Sequence, residues 1–186
     1  MCLPLLTNMG FEKRKSKKII VLESDRILPS GYFRSVLDQL HEGIQITCKT
    51  MKKLTKPTSD EDIESGNFEY RNEYRDEGNK IGLRNMWSGN TAFCASDYYK
   101  AGYMDESYVG YGWADSDMTN KMQSVGVQSI FRDEIELHLW HPPTTYGIKD
   151  QKELFINNGL LFCKKWNQPL PDWLRLEIAQ HKKVII

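Results

Sequence analysis

Tyr108-Val109-Gly110-Tyr111-Gly112-Trp113-Ala114-Asp115-Ser116-Asp117 is a glycine–aromatic turn that runs into acidic residues. Apolar residues at helical spacing (Met118, Met122, Val125) begin straight after it. Glycines beside aromatic rings let a ligand approach the backbone under a flat face. Carboxylates in the first turn of a helix are stabilised as anions by the helix dipole. That setting suits a base or an anionic hydrogen-bond acceptor. The same residues also describe an aromatic-rich turn capped by Asp115, and the neighbouring segments decide between the two.

Upstream, Ile19-Ile20-Val21-Leu22 is a β-branched apolar run, expected to form a buried and parallel strand. It ends in Glu23-Ser24-Asp25. Ligands of open α/β sheets sit at the carboxyl ends of strands. A carboxylate pair there can grip a hard divalent cation together with phosphates; the alternative is a strand-end turn before a helix that starts near Pro29. Phe33, Val36, Leu37 and Leu40 place an amphipathic helix over residues 29–41, and Ile44–Cys48 alternates as a second strand. Residues 49–85 are polar and highly charged, which predicts a mobile insertion inside one domain spanning 1–186. Thr91–Ala95 reads as a strand, followed by a short helix that Gly102 closes.

Downstream of the opening stretch, a helix over 114–124 gives way to two strands, Val127–Phe131 and Ile135–Leu139. The second carries His138, with His141 three residues on. Imidazoles are common transition-metal ligands, so the pair raises a metal reading above that for a lone histidine. Helices at 150–166 and 171–182 fill the C-terminal part (149–186) and read as scaffold. The predicted class is α/β, with a mixed central sheet flanked by helices.

Composition sets limits on function. The 186 residues are 40% hydrophobic and 27% charged, with 25 basic and 25 acidic side chains, so no global field recruits nucleic acid or a membrane surface. The basic run at 13–18 reads as a solvated turn or helix face. The four cysteines, Cys2, Cys48, Cys94 and Cys163, lack CxxC spacing and read as reduced thiols without a zinc site. With no signal peptide or membrane span in view, the expected location is cytoplasmic.

Taken in order, these segments resemble the C-terminal catalytic part of GT-A-fold glycosyltransferases, in the galactosyltransferase group of β-1,4-galactosyltransferases and related chondroitin and polypeptide sugar transferases. Glu23-Ser24-Asp25 with Leu28-Pro29 stands where the family has its DxD signature. Ser88-Gly89-Asn90-Thr91-Ala92 is similar to its Gly-Gly-small-small-Ala segment, and Gly102-Tyr103-Met104-Asp105-Glu106 to its Gly-Phe-Asp-Glu turn. Gly110 to Asp117 resembles its Gly-Trp-Gly-x-Glu-Asp-x-Asp, with Ala114 in place of the first acid. His138-Leu139-Trp140-His141 falls at its metal-ligand pair. The match covers about Ile19 to His141. The family has a nucleotide-binding half before its DxD, whereas here 22 residues precede Glu23, which implies a truncated N-terminal half.

The resemblance implies a metal-dependent, inverting transfer of a galactose or N-acetylhexosamine type of sugar. The donor is a nucleotide-diphosphate sugar and the acceptor a glycan or other hydroxyl. It makes Asp25 the foremost metal ligand, then His141 and His138, with Glu23 acting directly or through water. Imidazole in that set favours Mn2+ over Mg2+. Asp115 becomes the base. Gly89, Asn90, Tyr111, Gly112, Trp113 and Asp117 become donor or acceptor contacts, although Asp117 is better placed to cap the helix. The alternative is a non-catalytic sugar- or nucleotide-binding module, or an inactive truncated relative acting with a partner chain. A homo-oligomer is open on either reading.

Overall fold

The computed structural model describes residues 3–74, 90–142 and 151–180. In chain order the elements are α1 (Leu3–Glu12), β1 (Lys18–Leu22), β2 (Arg26–Ile27), α2 (Tyr32–Gln39), β3 (Ile44–Leu54), α3 (Asp60–Ser65), β4 (Tyr70–Tyr74), β5 (Asn90–Cys94), α4 (Ala95–Ala101), α5 (Ala114–Ser124), β6 (Gln128–His138), α6 (Gln151–Lys165) and α7 (Asp172–Gln180). The sheet has six strands in the order β1-β5-β3-β6-β2, with β4 joined to β3. Its central pair, β3 and β6, is parallel and every other pairing is antiparallel. The mixed α/β class read from the sequence is the class observed.

Side chains alternate faces along a strand, and β5 shows how the layers divide. Phe93 points into a cluster with Phe11 of α1, Tyr98 of α4, Met118 and Met122 of α5, and Met104 and Val127 of the connecting segments. Its neighbours Ala92 and Cys94 point the other way, into a cluster with Tyr32, Val36 and Leu40 of α2 and with Ile44, Ile46 and Cys48. Helices therefore cover both faces. A third cluster lies away from the sheet, where α6 and α7 close over Tyr108 and Trp113 through Ile156, Phe162, Cys163 and Leu174.

Several local expectations need correction. The strand at Ile19–Leu22 is neither central nor parallel: β1 ends the strand order, pairs antiparallel with β5, and is only half-buried. The polar insertion does not begin at 49. β3 runs on to Leu54, α3 opens with a Ser59–Asp62 capping box, and β4 pairs back onto β3; residues 75–85 lie outside the described residues. Lys49, Lys52 and Lys53 hid this strand, although Met51 and Leu54 on either side of the lysine pair are buried. The two strands expected around 127–139 are one, β6, since parallel pairing with β3 carries it through the charged Arg132-Asp133-Glu134 with a shift in register at Cys48/Thr50. α2 begins at Tyr32 behind Gly31, so Pro29 is not its first residue.

Candidate functional site

Glu23-Ser24-Asp25 leaves β1, and the two-residue β2 then pairs antiparallel with the end of β6, setting Arg26 against His138 and Ile27 against Leu137. The Leu139 backbone N–H donates to the Asp25 carbonyl at 2.9 Å, extending that ladder by a step. This short pairing brings a carboxylate from the N-terminal part of the chain to a histidine 113 positions later. The turn after β6 returns His141 to the same point. One donor atom from each of Asp25, His138 and His141 lies within 4.8 Å of the others. His138 Nε2 is 3.4 Å and His141 Nε2 3.2 Å from Asp25 Oδ2.

The protons on these rings define the chemistry. His141 Nδ1 is 2.8 Å from the Pro142 carbonyl. A carbonyl only accepts, so a neutral ring carries its proton there and turns the Nε2 lone pair toward Asp25. His138 is buried. Burial first, then the Arg26 charge and those of Lys53 and His141, push it down to about 4 against the pull of Asp25; it is neutral at physiological pH. Its Nδ1 and Asp25 Oδ1 are buried without a hydrogen-bond partner among the described residues. Oδ1 faces the Arg26 guanidinium at 3.5 Å as an ion pair only. Three electron-pair donors thus converge, and a shared proton or a cation is what can hold them together. One carboxylate and two imidazoles form a borderline donor set suited to Mn2+ or a related transition ion.

Glu23 is not among the three converging donors. Its carboxylate accepts from Arg26 Nε at 2.9 Å. Arg26, almost wholly buried, also faces Glu136 at 3.7 Å. Glu136 is buried on β6 and accepts from Asn90 Nδ2. Asn90 Oδ1 in turn accepts from the Tyr32 hydroxyl at 2.8 Å. The Asn90 side chain is therefore used inside the sheet. Sequence reading named Asn90 as a ligand contact and passed over Arg26, Tyr32 and Glu136; only the β2–β6 register reveals their role.

The glycine–aromatic stretch is built against α6 and α7. Trp113 sits in the left-handed region (φ 72°) as the residue before α5 and is 5% exposed. It stacks on Trp173 at 5.8 Å and packs on Phe162 at 5.2 Å. It is core, whereas Tyr111 is 61% exposed and stacks on Phe155 at 6.1 Å. Gly112 has φ +88°, and a Cβ there would meet Phe155 Cδ2 at 2.4 Å. Asn158 Nδ2 donates to the carbonyls of Val109, Tyr111 and Gly112. Asp117 neither caps α5 nor faces solvent: it is fully buried and accepts from Lys165 Nζ at 2.9 Å and Trp166 Nε1 at 2.8 Å. Asp115 is half-buried in the first turn of α5. Ser88 and Gly89 lie outside the described residues.

This mixed sheet with helices on both faces resembles part of a GT-A fold. Among solved structures the chain is similar to the crystal structure of GalNAc-T7 with UDP, GalNAc and Mn2+, with a TM-score of 0.57 and 12% identity over 96% of this chain. The chain spans 40% of the length of that one. No family model and no curated protein sequence matches it. No helix among the described residues is long and apolar enough to cross a membrane.

Proposed function

We propose that this chain is a metal-dependent glycosyltransferase domain that moves a sugar of the galactose or N-acetylhexosamine type from a nucleotide-diphosphate donor to an acceptor hydroxyl. The observation that carries the reading is the convergence of Asp25, His138 and His141 at the carboxyl ends of β3 and β6, the end of an α/β sheet where ligands sit, within a GT-A-like fold. Those three side chains would hold the cation. When bound, such an ion neutralises charge on a leaving diphosphate.

The remaining chemistry belongs to the chain. Asp115, kept ionised by the first turn of α5, takes the proton of the acceptor hydroxyl as its oxygen bonds to the anomeric carbon. The bond from that carbon to the diphosphate breaks, the diphosphate leaves with the electron pair, and the configuration inverts. Tyr111, exposed beside Gly110 and Gly112, is the aromatic ring for the sugar. Trp113 is buried and supports the loop from beneath.

The test has two arms. In calorimetric titration, Mn2+ is expected to bind, and Asp25→Asn to weaken it by more than about tenfold, a loss that outer-shell partners alone can produce. With a panel of nucleotide-diphosphate sugars and Mn2+, Asp115→Asn is expected to abolish transfer while metal binding and fold persist. Retained transfer in that variant, or a product of retained configuration, would remove Asp115 from the role of base. The second reading, a non-catalytic binding module, draws support from Ala114, which stands where the resembled family has an acid. Donor binding without turnover at any Mn2+ concentration would establish it.

A further inference from the structure

His138 is flanked within the sheet on both sides. Antiparallel pairing puts Arg26 of β2 beside it, and parallel pairing puts Lys53 of β3 on its other side. Residues in register across a sheet share a face, so Lys53, His138 and Arg26 form one transverse row. Met51 and Glu136, two residues before Lys53 and His138, belong to that face: Arg26 Nη1 contacts Met51 Sδ and faces Glu136. The row crosses the sheet at the end of its parallel pair, because β3 stops at Leu54 and β6 at His138.

The two cations in this row are used differently. Arg26 is almost wholly buried and is engaged by Glu23, Asp25 and Glu136. Lys53 is half-buried and has no ion-pair partner among the described residues. Lys52, its neighbour, points to the opposite face, where its Nζ lies 4.2 Å from the Tyr70 ring centroid. A lysine beside a metal ligand repels the metal. Such a placement is useful where an anion must be held against that metal, because the ammonium then meets charge that the ion leaves unneutralised.

We propose that Lys53 is the anion contact of this site, binding the diphosphate of the donor on the β3 side of the Asp25–His138–His141 cluster. The inference rests on the glycosyltransferase reading and deepens it by assigning a residue to the donor's charged group. It also predicts a split in sign. Neutralising Lys53 weakens anion binding, yet leaves metal binding unchanged or tighter.

Inorganic pyrophosphate is the probe, titrated calorimetrically into the full chain with Mn2+ and again in EDTA. The proteins are wild type, Lys53→Gln, Lys53→Arg and, as a control on the opposite face, Lys52→Gln. Lys53→Gln is expected to weaken pyrophosphate binding by about tenfold, the scale of one charge-assisted contact. Lys53→Arg should restore most of the loss, and Lys52→Gln should match wild type. Mn2+ affinity in Lys53→Gln should be equal to wild type or higher. Equal pyrophosphate affinity in wild type and Lys53→Gln, or none in either condition, overturns the role of Lys53 whatever the metal titration shows. Absence of Mn2+ binding overturns the metal reading alone; Lys53-dependent binding in EDTA would then still support the anion site. Thermal unfolding of each variant checks that folding is intact.

Discussion

Gly112→Ala separates two roles for the glycine–aromatic stretch. A glycine kept for close approach by a ligand can accept a methyl group with little loss of stability. The structure gives Gly112 a different burden. Its φ of +88° is left-handed backbone, and an added Cβ would lie 2.4 Å from Phe155 Cδ2 and 2.5 Å from Cε2. Placing alanine in that conformation costs about 1–2 kcal/mol, and relieving the overlap in a packed setting costs about 1–3 kcal/mol more. The sum, about 2–5 kcal/mol, is a large share of the roughly 5–15 kcal/mol that holds a domain folded. For a chain of this size it should lower Tm by roughly 5–20 °C. Urea unfolding and calorimetry read the loss directly. Phe155→Val removes the ring atoms that collide, so the double variant should recover the overlap part, with a coupling of at least about 1 kcal/mol. A Gly112→Ala protein within about 0.5 kcal/mol of wild type, or no coupling with Phe155→Val, would refute the packing role. A fall in donor binding at unchanged Tm would return Gly112 to the ligand.

Two further outcomes follow from the contacts between α5 and α6. Asp117→Asn keeps the shape of the side chain but removes the anion that Lys165 and Lys121 face at 2.9 and 3.8 Å. It should lower stability in urea by about 3–5 kcal/mol, as breaking a buried pair does, and a loss under about 1 kcal/mol would mark the contacts as peripheral. Partial burial pushes the Asp105 carboxyl up, but hydrogen bonds from Lys165 and Ser107 and the lysine charge outweigh it and hold it well below the carboxylate range. A depressed folded-state pKa contributes stability above about pH 4 that is lost as pH falls through the folded value. Lys165→Met should therefore flatten the decline of the urea midpoint between neutral pH and about pH 3; superimposable declines would refute the linkage.

The parts of this fold legible in the sequence are those whose signal is local. β5, α4, α5 and the C-terminal helices follow from apolar spacing and from Gly102. The candidate metal donors were legible too, since Asp25 ends an apolar run and the two histidines stand three apart. Partnership across the sheet was not legible. β2 is two residues long and exists only because β6 offers it a ladder, so neither the burial of Arg26 nor its pairing with Glu23, Asp25 and Glu136 could be foreseen. Lys52 and Lys53 look like a solvated run until β4 and β6 pair on either side of β3. Trp113 and Asp117 resemble ligand contacts in one dimension. They become core and anchor because α6 and α7, far along the chain, close over them.

That closure has a consequence for synthesis. Asn158 reaches back 46 residues to the Gly112 carbonyl, and Lys165 and Trp166 reach back 48 and 49 to Asp117. At about 5–20 residues per second on the ribosome, roughly 2–10 s pass between the making of the loop and the making of its clasp. Within that interval β6 is still being made, and the turn before α5 waits for the helix that clasps it. A chain stalled between β6 and α6 would hold Asp25, His138 and His141 but not the Asn158, Lys165 and Trp166 that clasp the turn before α5.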